Sequence, residues 1–418
     1  MKITKFLTAA LLFAGTVFQA NASDIPRGEY PRPQFERTEW MNLNGVWDYT
    51  FDFSGSGLER GLEKATAFEG RITVPFCPES SLSGVGYTDF INCIWYHREV
   101  AVPEAWSGKD ILLNFGAVYY NAEVYVDGVF AARHIGGSSS FSVDLTRLVT
   151  PGKSHHLVVR ATSDVRSTTQ GAGKQNLQYA SYGCNYTRTT GIWQTVWMEA
   201  VDPAGLLSAH VVTDIDQGQL VITPRFRSES GNTLHIAVKE GGKVVATAAV
   251  RAANSSVAVL PVKRPKLWSP DTPYLYRVQS RIKKGNRSID GGTTRIGIRL
   301  AEFRGKEGFW LNGKPFGQLV GANRHQDFAY VGNALPNSQQ WRDAKRLRDA
   351  GCTIIRVAHY PQDPSFMDAC DELGMFVIVA TPGWQYWNKD PKFGELVHQN
   401  TREMIRRDRN HPSVLMWE

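Results

Sequence analysis

Three polar clusters each follow directly on a predicted strand: Asn323-Arg324-His325-Gln326-Asp327, Arg356-Val357-Ala358-His359-Tyr360-Pro361 and Trp384-Gln385-Tyr386-Trp387. Imidazole both donates and accepts hydrogen bonds, guanidinium orients carboxylates, and tryptophan offers a large flat apolar face. Taken singly, each has an ordinary structural use. A histidine at a strand end is more often a hydrogen-bonded structural residue, Arg356 could pair with a core carboxylate, and Trp384 and Trp387 could simply pack. Three clusters in succession reverse that weighting, because side chains at the carboxyl ends of parallel strands converge on one mouth.

The elements that must position them follow from the change of period near Arg299. Phe316 to Gly321 reads as a buried strand. Asn337, with Gln340 three residues on, reads as a capping box opening a helix whose apolar stripe is Trp341, Ala344, Leu347 and Ala350, stopped at Gly351. Thr353 to Ala358 is the next strand. Asp363 caps a second helix with Pro364 in first position; Phe366, Met367, Cys370 and Leu373 face inward, and Gly374 closes it. Met375 to Ala380, a charged helix from about Glu395 to Arg409, and a strand from Ser413 to Trp417 complete a β/α alternation. A closed (β/α)8 barrel requires eight strands and this reading reaches four, so the sequence is expected to be the N-terminal part of a longer protein.

Before Arg299 the pattern is short alternating stretches broken by Gly, Pro and Asp, the signature of antiparallel sheets. Ala122 to Val126, Asp127-Gly128 and Val129-Phe130 read as a hairpin. His156 to Ala161 and Thr195 to Glu199 are further strands. Asp202-Pro203-Ala204-Gly205 punctuates a boundary, after which a new strand series suits an immunoglobulin-like sandwich of about 90 residues. The domains are therefore expected at 23–204, 205–298 and 299–418.

Composition sets the outer limits. At 418 residues, 42% hydrophobic and 21% charged, the chain is neither disordered nor collagen-like and is too long for one ordinary core. Lys2 and Lys5, an apolar run from Phe6 to Phe18 and Ala20-Asn21-Ala22 read as a signal peptide over 1–22, cleaved after Ala22, which predicts a periplasmic or secreted protein. The apolar run is shorter than the roughly 20 residues of a membrane span, so no membrane partner is expected. The net charge of +7 drops by two with Lys2 and Lys5, and the basic residues are scattered, which argues against a nucleic-acid partner. The five cysteines form no C-x-x-C pair. Cys77 and Cys93 could be bridged if two strands bring them together, although small buried thiols are the favoured reading.

The chain resembles glycoside hydrolase family 2, the group of β-galactosidases, β-glucuronidases and β-mannosidases. In the first domain the resemblance rests on Leu43-Asn44-Gly45-Val46-Trp47, on Val74-Pro75-Phe76 with Trp95-Tyr96-His97-Arg98, and on Arg188-Thr189-Thr190-Gly191-Ile192-Trp193. Leu267-Trp268-Ser269-Pro270-Asp271-Thr272-Pro273-Tyr274-Leu275-Tyr276 carries it in the second. Gly321-Ala322-Asn323-Arg324-His325, His359-Tyr360-Pro361 and Asn410-His411-Pro412-Ser413-Val414 carry it in the third.

The resemblance implies a jelly-roll β-sandwich that binds sugar, an immunoglobulin-like β-sandwich and the N-terminal half of a TIM (β/α)8 barrel. It implies hydrolysis of a non-reducing terminal β-sugar with retention, which needs two carboxyl groups about 5 Å apart. Both catalytic Glu are expected beyond Glu418, and Glu418 itself stands too early to be the acid. By the same resemblance His325 and His359 contact sugar hydroxyls and Arg356 orients the nucleophile. Asn185 takes the place of an Asp that β-galactosidases extend towards the sugar, and Asp327 is a further candidate in the mouth. After the third strand the chain reads Ala380-Thr381-Pro382-Gly383-Trp384, without the metal-holding acids of well-known β-galactosidases. No metal or other cofactor is implied, and Trp384 and Trp387 become a candidate sugar platform. The expected function is an exo-β-glycosidase, β-galactosidase-like, acting on oligosaccharide or polysaccharide-derived substrate. β-Glucuronidase and a non-catalytic carbohydrate-binding protein are the alternatives, and a homo-oligomer is left open.

Overall fold

The computed structural model describes residues 25–382 and 388–418. The expected signal peptide, and Trp384 and Trp387, lie outside the described residues. The first unit is an antiparallel sandwich. A six-stranded sheet runs in the order Gly70–Val74, Gly45–Phe51, Cys93–Ala101, Ser154–Thr162, Asn121–Val126, Val129–Ile135. It faces a four-stranded sheet in the order Trp40–Asn42, Val196–Val201, Asp110–Phe115, Phe141–Asp144. Alternation places Trp47, Ile94, Tyr96, Leu113, Phe115, Val124 and Val159 in the shared core. Asp127 and Gly128 have φ of 50° and 79°, the left-handed pair that a two-residue hairpin of this twist demands.

After the turn at Asp202 to Gly205, closed by a 2.6 Å bond from Gly205 N–H to the Asp202 carbonyl, a second sandwich begins. Leu206–Asp214, Gln219–Phe226 and Ala258–Pro261 form one sheet. Lys243–Arg251, Thr233–Glu240, Tyr276–Lys284 and Arg287–Ile296 form the other. Seven strands around Leu220, Ile236, Val278 and Ile282 make the immunoglobulin-like arrangement.

The third unit opens with a small antiparallel sheet (Ala301–Phe303, Phe309–Leu311, Lys314–Pro315) and continues as a parallel β/α segment. Its elements are β1 (Gly321–Arg324), α1 (Asn337–Asp349), β2 (Ile354–Val357), α2 (Pro364–Leu373), β3 (Phe376–Val379), α3 (Pro391–Asp408) and β4 (Val414–Trp417). The strands pair in sequence order, all parallel. Asp363 caps α2 by accepting from Ser365 N–H at 2.9 Å, and Gly374 ends it in the left-handed region at φ 70°.

Three expectations need correction. The first strand is Gly321–Arg324, not Phe316 to Gly321, and only its Arg324 is buried. α1 has no capping box: its N-cap is Pro336, and the Asn337 side chain instead accepts from Arg27 Nη2 at 2.9 Å. Its buried positions are Gln340 and Ala344, while Trp341 is exposed. The favoured reading of Cys77 and Cys93 holds, since all five cysteines are free thiols and these two are buried, whereas Cys184 is exposed. No helix among the described residues is long and apolar enough to cross a membrane.

Candidate active site

β1 and β2 end level with one another, Arg324 opposite Val357, so the residues that follow emerge side by side. His325 Nδ1 lies 2.6 Å from the Ala358 carbonyl oxygen, which fixes Nδ1 as the donor. The His325 and His359 rings stand 5.9 Å apart between centroids at 49°. Arg356, on β2, donates from Nε to Glu418 Oε2 at 2.5 Å and from Nη2 to Glu418 Oε1, a two-point pairing of planar groups. Its Nη1 reaches Asn323 Oδ1 at 3.5 Å. The hydrogen bonds from Arg356 hold the Glu418 carboxyl below the usual range.

Burial, reinforced by the Arg356 and Lys174 charges and by His325, pushes His359 down to about 4. His325 is lowered too, chiefly by burial. Both imidazoles are therefore neutral at ordinary pH, each able to donate from one nitrogen and accept at the other. Arg324 points away from the mouth. It is buried, stands over the Phe366 ring at 4.0 Å, and donates to Gln362 (2.5 Å), Gln340 (2.8 Å) and Asp343 (2.8 Å).

Asp327 sits behind the histidines. Tyr360 Oη lies 2.8 Å from Asp327 Oδ2 and 3.1 Å from Asn333 Oδ1, and Asn333 Nδ2 donates to Thr189 Oγ1 at 2.8 Å. Burial raises Asp327 to about 7, outweighing its hydrogen bond from Tyr360. This chain of side chains crosses from the barrel segment to the first sandwich. It borders a cavity of ≈ 20 Å³, about the space of one water, lined also by Tyr119 and Lys174.

The first sandwich supplies the opposite wall. Arg188 donates to the carbonyls of Gln178 (2.5 Å), Tyr179 (3.2 Å) and Thr88, which folds the 174–186 loop back over the mouth. Thr190 Oγ1 donates to buried Glu79 at 2.6 Å, and burial raises that carboxyl to about 7. Tyr186 brings its ring 5.7 Å from His325, with Asn185 immediately before it. Lys174, buried, donates to Cys184 Sγ at 3.1 Å and lowers that thiol's affinity for its proton.

Of the residues singled out from sequence, the structure thus gathers His325, His359 and Arg356. It sets Asp327 behind them, bonded to Tyr360, and leaves Asn185 in the loop next to Tyr186, whose ring faces His325. Sequence reasoning missed Lys174, Tyr186, Tyr360 and Asn333. Tyr360 had a signal, since it lies inside the His359-Tyr360-Pro361 motif; Lys174 follows a Gly-Ala-Gly turn that carries no chemistry of its own.

At the other end of the strands, Asp368, Asp371 and His411 have ligand-type atoms within 4.8 Å of one another. His411 Nδ1 is 2.7 Å from Asp371 Oδ2, and Arg295 of the second sandwich pairs with Asp368. With an arginine on one carboxylate and an imidazole on the other, this group joins two domains rather than facing the mouth.

Residues 302–418 match the family described as glycosyl hydrolases family 2, TIM barrel domain, and residues 207–299 match glycosyl hydrolases family 2, together just over half of the chain. A β-galactosidase of Thermoanaerobacter pseudethanolicus is 34% identical over 339 residues, which cover 79% of this chain and 44% of that protein. A β-glucuronidase of Felis catus is 28% identical, over 93% of this chain and 64% of its own length. The chain therefore spans about half the length of these relatives. The crystal structure of Ruminococcus gnavus β-glucuronidase, 24% identical, shares the fold with a TM-score of 0.80 over 94% of this chain and 68% of that one. With these matches on the same sandwich and barrel segments that the geometry defines, the chain belongs to glycoside hydrolase family 2.

Proposed function

We propose that the chain carries the sugar-holding part of a retaining exo-β-glycosidase, β-galactosidase-like, that removes terminal β-linked sugars from oligosaccharides. The observation that supports it best is the pair of neutral imidazoles, His325 and His359, beside Arg356 at the carboxyl ends of parallel strands. Neutral imidazoles suit sugar hydroxyls, which both give and take hydrogen bonds, and such contacts assist catalysis when they tighten in the transition state. The 174–186 loop closes one side of the mouth, which favours a chain end over a mid-chain segment. Arg356 is a carboxylate-holding group: its fork already takes Glu418, and it would equally orient a nucleophilic carboxylate and keep it ionised. The two carboxyl groups of a retaining reaction are not assigned to residues of this chain, and Glu418 is not given the acid role. Asn185 and Asp327 serve as further sugar contacts in this reading.

A second reading, β-glucuronidase, is favoured by the charge around the mouth: Arg356 and Lys174 both act on His359, a setting that suits a sugar carboxylate. Assays of the complete gene product with p-nitrophenyl β-D-galactoside and β-D-glucuronide separate the two. Turnover of the galactoside at least tenfold faster is expected; preference for the glucuronide would replace the first reading with the second, and hydrolysis of neither would sink both. Export through the 1–22 segment is proposed as well, and the N-terminal sequence of protein recovered outside the cytoplasm is expected to begin at Ser23.

A further inference from the structure

The 174–186 loop of the first sandwich holds a pair of reactive groups that sugar binding does not use. Its two ends are pinned by backbone bonds: Tyr186 N–H donates to the Lys174 carbonyl and Asn176 N–H to the Tyr186 carbonyl, each at 2.8 Å. Within it, Asn176 Nδ2 donates to the Ala180 carbonyl at 2.6 Å, and Asn185 N–H closes a turn on the Tyr182 carbonyl at 3.1 Å. Arg188 holds the Gln178 and Tyr179 carbonyls as well, so the loop is braced along its length.

This bracing sets an amine against a thiol. Lys174 is 7% exposed, and its Nζ donates to Cys184 Sγ at 3.1 Å. Cys184 itself is exposed, so a small solute reaches the sulfur from solvent while the amine lies on its buried side. The hydrogen bond and the charge of Lys174 lower the thiol's affinity for its proton, which favours the nucleophilic thiolate. Three of the other cysteines are built the opposite way: Cys77, Cys93 and Cys370 are buried, and burial raises all three thiols, Cys93 to about 11. Anchoring the loop is already served by the backbone bonds, and sulfur is a weak acceptor for an ammonium until it is ionised.

We infer that Lys174 and Cys184 form an oxidant-responsive modification site, where a hydroperoxide converts the thiol to a sulfenic acid and the Lys174 amine closes an S–N bridge across the loop. With hydrogen peroxide, the thiolate sulfur attacks a peroxide oxygen and the O–O bond breaks. Sulfur loses two electrons as the peroxide gains them, and the hydroxide released takes a proton from the Lys174 ammonium. The amine then attacks the sulfenic sulfur. The S–N bond forms, the S–O bond breaks, and hydroxide departs as water with a second nitrogen proton. Thiolate, ammonium and one peroxide thus give a sulfenamide and two waters. The 3.1 Å approach already lies in the range of about 3–3.5 Å from which such bonds close. The bridge abolishes the Lys174 charge, which acts on both His325 and His359, so it is felt at the mouth. The chemistry is independent of any glycosidase activity, and its test reads covalent mass.

The test is to treat the purified chain with hydrogen peroxide, digest it with trypsin without reduction and measure the peptide masses. Untreated chain should be cut after Arg166, Lys174 and Arg188. Bridged chain should yield 167–188 uncut and lighter by two hydrogen atoms, and dithiothreitol should restore the cut. In Lys174→Arg, which keeps the charge but loses the nucleophile, Cys184 should stop at a sulfenic acid that dimedone traps. Cys184→Ser, at an exposed position, should form no bridge, whereas Cys352→Ser should bridge as the parent does. A dimedone adduct on the parent's Cys184 without uncut 167–188, a chain-to-chain disulfide through Cys184, or a Cys184 thiol left intact by peroxide would each overturn the site.

Discussion

His359 is 6% exposed, and its imidazole is kept neutral by burial and by the Arg356 and Lys174 charges. Replacing it by Ala in the complete gene product is expected to lower kcat by about 10²–10³ without altering the circular dichroism spectrum. Unchanged kinetics would return His359 to a purely structural role. Its titration is a separate check: the imidazole proton resonances should move near pH 4, and Arg356→Met should raise that midpoint. The sign for stability follows. An unfolded histidine takes up its proton near 6.5 and the folded one does not until about 4, so this residue removes stability as the pH falls through that window. At this scale, the groups legible in the sequence were those that directly follow a strand, His325, His359 and Asp327, together with Arg356 on β2, because strand direction alone aims them. Lys174 and Tyr186 were not legible. Their place depends on Arg188 gathering distant carbonyls, a long-range contact that no local pattern announces.

Between residue and domain, the elements explain where the sequence reading slipped. Phe316 looked like strand because it opens an apolar run, yet it packs edge-on against Phe376 at 5.7 Å and plugs the lower end of the sheet, so pairing with β2 starts only at Gly321. The stripe of α1 is rotated for a polar reason. Arg324 is buried and needs acceptors, and Gln340 takes the inward position that an apolar rule assigns to Trp341. Arg324→Met should therefore cost about 3–5 kcal/mol in denaturant unfolding, since it strands Gln340, Gln362 and Asp343 without their donor. A midpoint within error of the parent would contradict that. Asp327 behaves oppositely to an ordinary carboxylate. With a folded value of about 7, its contribution to stability is complete below its unfolded value near 3.9 and is lost as the pH rises through 7. Asp327→Asn should flatten the stability profile between pH 4 and 7 and raise the Tm at pH 8; a lower Tm there would show that the carboxyl is ionised and useful.

Across the whole molecule, the family motif around Trp268 acts as a peg between the second sandwich and the barrel segment. Trp268 Nε1 donates to the Asp371 carbonyl at 2.8 Å and its ring meets Phe376 edge-on at 5.4 Å. Arg348 Nη2 donates to the Pro270 carbonyl at 3.0 Å, and Gly374 lies directly against Pro270. Two glycines in the same left-handed conformation separate the peg from local strain. Gly351 ends α1 at φ 91° with open space where a Cβ would stand, so Gly351→Ala should cost only the conformational term, about 1 kcal/mol. Gly374 ends α2 at φ 70°, but a Cβ there would stand 2.6 Å from Pro270 Cα and closer still to its carbonyl oxygen. Gly374→Ala should therefore cost clearly more than Gly351→Ala, and limited proteolysis should cut more readily between the second sandwich and β1. Equal losses for the two variants would mean that Pro270 gives way without effect, and that the domains are held by the Arg295–Asp368 and Arg295–Glu372 pairs instead.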